Sequence, residues 1–149
     1  MSNTVLPASR QDPASHKVII SNVEQPGCRV IYLTVDDSTY LIKCSKKYDK
    51  LICIEREDKT AIDTTVRNEI LHTDLTKLHK GYAIIQEDNG PLIDIYMKND
   101  AYTQSSSGEL LQLFAGVYYM STNKRAEIGL DLKTNTFHLV HGDISLVTL

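Results

Sequence analysis

The chain has 149 residues, 42% of them hydrophobic and 23% charged, which is enough to bury one core and too little for two independent domains. Its 16 basic and 19 acidic side chains leave a formal net charge of −3. That balance excludes a global attraction for nucleic acid or an anionic membrane and sets a mildly acidic cytoplasmic protein as the expectation.

Residues 1–16, MSNTVLPASRQDPASH, have no basic start followed by an apolar block, so no secretory leader is expected. Their prolines and small polar residues predict a flexible arm, and residues 17–149 read as a single domain. KVIISNV, from Lys17 to Val23, is rich in β-branched residues and ends at the turn-forming Gln25-Pro26-Gly27. RVIYLTV, TYLIKCS and KLICIERE follow, separated by Asp36-Asp37-Ser38 and by KKYD, and predict a meander of short antiparallel strands. Cys28, Cys44 and Cys53 cannot all pair within one chain and lack zinc-knuckle spacing, so reduced structural thiols are expected.

From Asp63 the pattern changes. Val66, Ile70, Leu71, Leu75 and Leu78 recur every three to five residues and predict one apolar helix face. Asp63, Thr64 or Thr65 can cap its start, and Gly81 suits its left-handed end. Next, YAIIQEDNGPLIDIYMK predicts a hairpin turning at Asn89-Gly90, with Pro91 at the first residue of its second strand. Ser106-Ser107-Gly108-Glu109 matches a capping box, and Leu110, Leu113, Phe114, Val117 and Met120 predict a second helix behind it. The tail from Ala126 to Leu149 alternates around KTN and His141-Gly142-Asp143 and predicts two or three more strands. The expected class is α+β, an antiparallel sheet with two amphipathic helices packed against it.

No phosphate-binding glycine loop, nucleophile elbow, H-E-x-x-H pair or calcium loop is present, so no catalytic residue, metal or cofactor is expected. His72 and His79 lie two turns apart on the first predicted helix and read as polar-face residues rather than metal ligands. His138 and His141 sit in a predicted strand, where they point to opposite faces. Asp36 with Asp37, and Glu87 with Asp88, flank predicted turns, where aspartate serves local hydrogen bonds. KCSKKYDK, Lys43 to Lys50, reads as a solvated hairpin end rather than a nucleic-acid contact.

The order of these elements from Arg29 to about Met120 resembles the class I type III secretion chaperones, the Tir chaperone family. In that family a helix ending in L-x-x-L-x-x-G leads into a strand, a D/N-G turn and a second strand, as LTKLHKGYAIIQEDNGPLIDIYM does here. A last leucine- and aromatic-rich helix follows, as in GELLQLFAGVYYM. The resemblance implies a homodimer that holds an extended segment of a secreted effector, with the dimer contact at Val66, Ile70, Leu71, Leu75 and Leu78. The strand-rich tail is not part of that pattern.

A non-catalytic protein-binding module is therefore the expectation. Its partner contacts are expected at Ile84, Ile93 and Ile95 on the hairpin and at Leu113, Phe114 and Val117 behind it. The alternative is an immunity-like inhibitor that blocks a toxin through charged surface residues, and the third class is an enzyme on an uncommon scaffold.

Overall fold

The computed structural model describes residues 16–48, 50–60, 82–86, 90–96, 102–104, 107–142 and 144–148. All the secondary structure among them is β. A five-stranded sheet is built from β1 (Lys17–Gln25), β2 (Cys28–Val35), β3 (Ser38–Cys44), β4 (Leu51–Arg56) and β11 (Ser145–Thr148), in the order β11-β1-β2-β3-β4. A six-stranded sheet holds β5 (Tyr82–Gln86), β6 (Leu92–Tyr96), β7 (Tyr102–Gln104), β8 (Leu110–Tyr119), β9 (Lys124–Asp131) and β10 (Thr136–Gly142). Its path is β10-β9-β8-β6-β5, and β7 pairs with the first residues of β8.

The α+β expectation is therefore corrected: the described residues are all-β, and the second predicted helix is β8. A bulge produced the helical spacing. Pairing of β8 with β9 shifts between Leu113 and Ala115, so Phe114 and Ala115, neighbours in sequence, both join the core. The strand's other face is also shielded at Leu111 and Gly116, which leaves an almost unbroken apolar run with no period of two to read. Glu109 caps no helix: Ser107 Oγ donates to Glu109 Oε1 at 2.9 Å, Gly108 takes a φ of +93°, and β8 follows.

The first predicted helix, with Val66, Ile70, Leu71, Leu75 and Leu78, lies outside the described residues, as do His72, His79, Glu87 and Asp88. β5 and β6 pair antiparallel from Tyr82–Tyr96 to Gln86–Leu92, and Asn89 of the expected Asn-Gly turn lies outside the described residues. The type III chaperone resemblance rested partly on a helix at 110–120, where β8 now stands.

The two sheets face each other across one core. Val18, Ile20, Ile31, Leu33 and Ile42 come from the first sheet, and Ile85, Ile93, Ile95, Phe114, Val117, Ile128 and Phe137 from the second. Alternation puts these side chains inward wherever a strand has one buried face, as in Val18–Ile20 and Ile31–Leu33–Val35. The chain changes sheet after β10: Ile144 drops into the core, and β11 runs parallel to β1 from Lys17–Ser145 to Ile20–Thr148.

One end of the sandwich is closed by a polar staple. Asp36, at a φ of +55° in the two-residue β2–β3 turn, accepts the Tyr119 hydroxyl at 2.5 Å and the Lys17 amide at 3.0 Å. His16 Nδ1 lies 3.2 Å from the same carboxylate, and the His16 ring stacks on Tyr119 at 3.7 Å. A turn aspartate thus ties the start of β1 to the end of β8, across the two sheets. His16, expected at the end of a flexible arm, belongs to this contact.

Candidate functional site

The opposite end is built from the same strands continued outward. Val18 and Ile20 face the core, so Asn22 and Glu24 keep that orientation at the far end of β1, and Arg29 precedes the inward Ile31 on β2. Arg29 is buried. Its Nη2 donates to Glu24 Oε1 at 3.2 Å, its Nη1 to Asn22 Oδ1 at 3.1 Å and its Nε to the Lys46 carbonyl at 3.4 Å. Lys46 Nζ reaches the second oxygen of Glu24 at 3.4 Å, so one carboxylate serves two cations.

Beneath the guanidinium lies Tyr48. The Arg29 charge sits 4.8 Å from the centre of its ring, a cation–π contact in a site shielded from water. Tyr48 is only 2% exposed and packs edge-on to Phe114 at 6.2 Å, which in turn meets Phe137 at 5.1 Å. Its backbone is left-handed, with a φ of +57°, a conformation that a bulky side chain adopts only when its surroundings enforce it. The Tyr48 hydroxyl has no hydrogen-bond partner among the described residues.

Gln112 adds a second such donor. It pairs with Leu130 across β8 and β9, on the inner face, two residues from Phe114. It is 5% exposed, and its Nε2 also has no partner among the described residues. Buried donors without acceptors each cost about 1–3 kcal/mol, and folded proteins keep few of them. Here one, Tyr48, belongs to the aromatic cluster beneath a buried guanidinium, and the other, Gln112, lies two residues from Phe114 on β8.

Exposed apolar side chains ring this end. Tyr102, 51% exposed, is directly across from Gln112, and Leu110, 64% exposed, precedes it on β8. Leu132, 46% exposed, begins the β9–β10 turn just past Leu130, and Asn22 Nδ2 closes the other side by donating to the Asn135 carbonyl at 3.2 Å. This end of the sandwich therefore combines buried donors with exposed apolar side chains.

The partner contacts expected from the sequence lie elsewhere. Ile84, Ile93, Ile95, Phe114 and Val117 are all buried, the last four in the core between the sheets, and Leu113 is half-buried. Phe114 is the one that meets Tyr48. Asp36 closes the other end, and Asp37 lines a shallow polar cleft with Ser38, Thr39, Arg56, Glu57 and Asp58. His138 and His141 approach Thr136 and Arg125 respectively. Cys28, Cys44 and Cys53 form no disulfide, and burial pushes the thiol of Cys53 up. Among the described residues no three His, Cys, Asp or Glu side chains gather as a metal site. None of their helices is long and apolar enough to cross a membrane.

Sequence reasoning missed Arg29, Tyr48, Gln112 and Glu24. Two signals were available: a lone arginine opening an apolar strand in CRVIYLTV, and an aromatic ring inside the polar loop SKKYDK. The left-handed turn that drives this ring inward has no glycine or asparagine to announce it.

Burial pushes the Tyr48 hydroxyl up to about 12, against the opposing pull of Arg29. Tyr119 is raised by burial and by donating to Asp36, and Tyr96 by burial and by Asp94, to which it donates at 3.1 Å. An unfolded tyrosine ionises near pH ~10. The folded state therefore holds these protons more tightly, and the stability this confers is complete below pH ~10 and lost as pH rises through the folded values. In an alkaline titration, only part of the tyrosinate absorbance of the eight tyrosines is expected to appear while the circular dichroism is intact, and the rest to rise together with its loss. Full ionisation near pH ~10 with the dichroism intact would contradict the buried hydroxyls.

Comparison of the chain with protein-family models, with curated proteins and with solved structures finds no match.

Proposed function

We propose that this chain is a non-catalytic binding domain that holds a segment of a partner protein at the β1–β2 end of its sandwich. The observation that carries the reading is the exposed apolar group Tyr102, Leu110 and Leu132 at the end of the sandwich that also buries two donors without acceptors, Tyr48 Oη and Gln112 Nε2. Exposed tyrosine and leucine around a desolvated polar centre is the arrangement that concentrates binding energy in interfaces. The holder is favoured over the blocker because the exposed side chains at this end are apolar rather than charged, with an extended effector segment as the partner class. Cysteines outside disulfides fit a reducing cytoplasm for this function, and a homodimer through Val66, Ile70, Leu71, Leu75 and Leu78 remains part of the proposal.

Binding of short apolar peptides, followed by tyrosine fluorescence and calorimetry, tests it. Tyr102→Ser combined with Leu110→Asp is expected to weaken peptide binding by about tenfold or more, the loss of roughly one good anchor. Both side chains are exposed, so the melting temperature should stay nearly constant. Peptides that bind the variant as tightly as the parent would place the partner elsewhere.

A further inference from the structure

Four strands end the two sheets, β4 and β11 in the first and β5 and β10 in the second, and an end strand offers unpaired backbone groups to any other strand. Two of the four carry devices that discourage this. β4 has Glu55 and Arg56 and a bulge at Ile52, the residue left over between the Lys43–Cys53 and Cys44–Leu51 pairs. β10 is bulged at Val140, left over between Leu139–Ile128 and His141–Glu127. β5 has neither device, yet Ile84 and Ile85 are both buried, so both faces at that edge are shielded.

β11 is different. Ser145, Leu146, Val147 and Thr148 include no charge and no proline, their register with β1 is unbroken, and their outer edge meets no backbone partner among the described residues. Val147, opposite Ile19, is 42% exposed. β10 and β11 follow each other in the chain and end the two sheets on the same flank. There Leu139 shares the inward face of Ile128, its neighbour on β9, and is still 40% exposed. The flank is open and apolar.

We propose that β11 pairs antiparallel with β11 of a second copy, about a two-fold axis through Val147, and joins the two five-stranded sheets into one. The contact is separate from the one drawn above at Val66, Ile70, Leu71, Leu75 and Leu78 and does not rest on the segment-holding reading. A second copy fits because this strand satisfies the demands of a sheet with itself. Residues directly opposite in an antiparallel pair share a face, and an axis on Val147 sets each residue opposite one an even number of positions away. Leu146 keeps the inward face, and the row Ile19–Val147 continues into Val147 and Ile19 of the second copy, an apolar line of β-branched pairs. Lys17, opposite Ser145, is sent by the axis to the far end of its copy. The two lysines stay roughly 20 Å apart, well beyond the Debye length of about 8 Å, so no like charges meet. Leu139 adds apolar surface to the seam from the second layer.

Sedimentation velocity and cysteine cross-linking test the proposal. A four-residue edge is small beside the roughly 800 Å² per partner of a standard interface, so the parent is expected to be dimeric at about 100 µM rather than at trace concentration. Val147→Lys puts a charge on the edge and should raise the dissociation constant at least about tenfold. Val147 is exposed, so the melting temperature should hold. Directly opposite residues of an antiparallel pair have Cα atoms about 4.5–5.5 Å apart, within reach of a disulfide. Under a mild oxidant Val147→Cys should therefore give a dimer whose 147–147 link is found by peptide mass spectrometry, whereas Ser145→Cys, off the axis, should give no 145–145 link. A dimer that survives Val147→Lys and shows no 147–147 link overturns the edge contact and leaves the one at Val66 to Leu78 standing. A parent that is monomeric at that concentration overturns both. If the monomer's β11 amides are instead protected from hydrogen exchange by an apolar peptide, a foreign strand takes the edge, so the second copy falls and the binding reading stands.

Discussion

Phe114→Asp is expected to leave the protein unfolded at room temperature. Phe114 is fully buried, and its ring meets Phe137 of its own sheet and Tyr48 from the loop after β3 of the other. Truncating a core phenylalanine costs about 3–5 kcal/mol, and an unpaired carboxylate in that position adds several more. The sum matches the whole stability of a typical domain, about 5–15 kcal/mol. Ile93→Asp, in the same core from β6, is expected to do the same. Leu110→Asp, four residues before Phe114 but at the exposed rim, should stay within about 0.5 kcal/mol of the parent. Thermal melts followed by circular dichroism separate these outcomes, and a cooperative melt for Phe114→Asp near that of the parent would remove Phe114 from the core.

The contrast between Leu110 and Phe114 also marks what the sequence could show. Where a strand has one buried face, as in KVIISNV and RVIYLTV, alternation announces it, and β1 to β4 are placed close to where the pattern puts them. β8 defeats that reasoning because a bulge breaks its period and both of its faces are shielded. Leu110, Leu113, Phe114 and Val117 then fall at helical spacing by coincidence. Aromatic and β-branched enrichment in VYY was the opposing signal, and it reflects the environment more truly than the spacing does.

The cluster around Arg29 was illegible for a different reason. Its members, Asn22, Glu24, Arg29, Lys46 and Tyr48, come from β1, β2 and the loop after β3. No local motif unites them, and only the packing of one sheet on the other brings Tyr48 to Phe114. The paired aspartates Asp36 and Asp37 were legible as a turn, while the reach of Asp36 to Tyr119, 83 residues away, was not.

Gly142→Ala is expected to be the most damaging of the small substitutions. Gly142 ends β10, where the chain leaves the second sheet for β11, and pairs with Ala126 after a bulge between Leu139 and His141. Its φ of +155° lies in a region open essentially to glycine alone, which costs about 1–3 kcal/mol for any other residue. A Cβ there would also meet the Arg125 carbonyl oxygen, in a contact closer than atoms permit, and Ala126 Cα at 2.7 Å. Both obstacles are backbone of β9, which cannot move aside without breaking the β9–β10 pairing. Gly129→Ala meets side chains instead, Val140 Cγ2 at 2.8 Å and Leu111 Cβ at 3.0 Å, which can turn or shift. Gly27 and Gly108 are left-handed too, with φ of +81° and +93°, but nothing lies within 4 Å of their added Cβ. Alanine at either should therefore cost the backbone term alone, and at Gly142 that term plus the collision. For a chain of this size a loss of about 3 kcal/mol lowers the melting temperature by roughly 10 °C. Gly142→Ala is expected to exceed that drop and Gly27→Ala and Gly108→Ala to fall short of it. Hydrogen exchange gives the location, since β11 hangs on this corner and its pairing with β1, from Lys17–Ser145 to Ile20–Thr148, should lose protection first. An alanine at position 142 that melts like the one at position 27 would mean that the chain does not pass so close to β9 as it changes sheets.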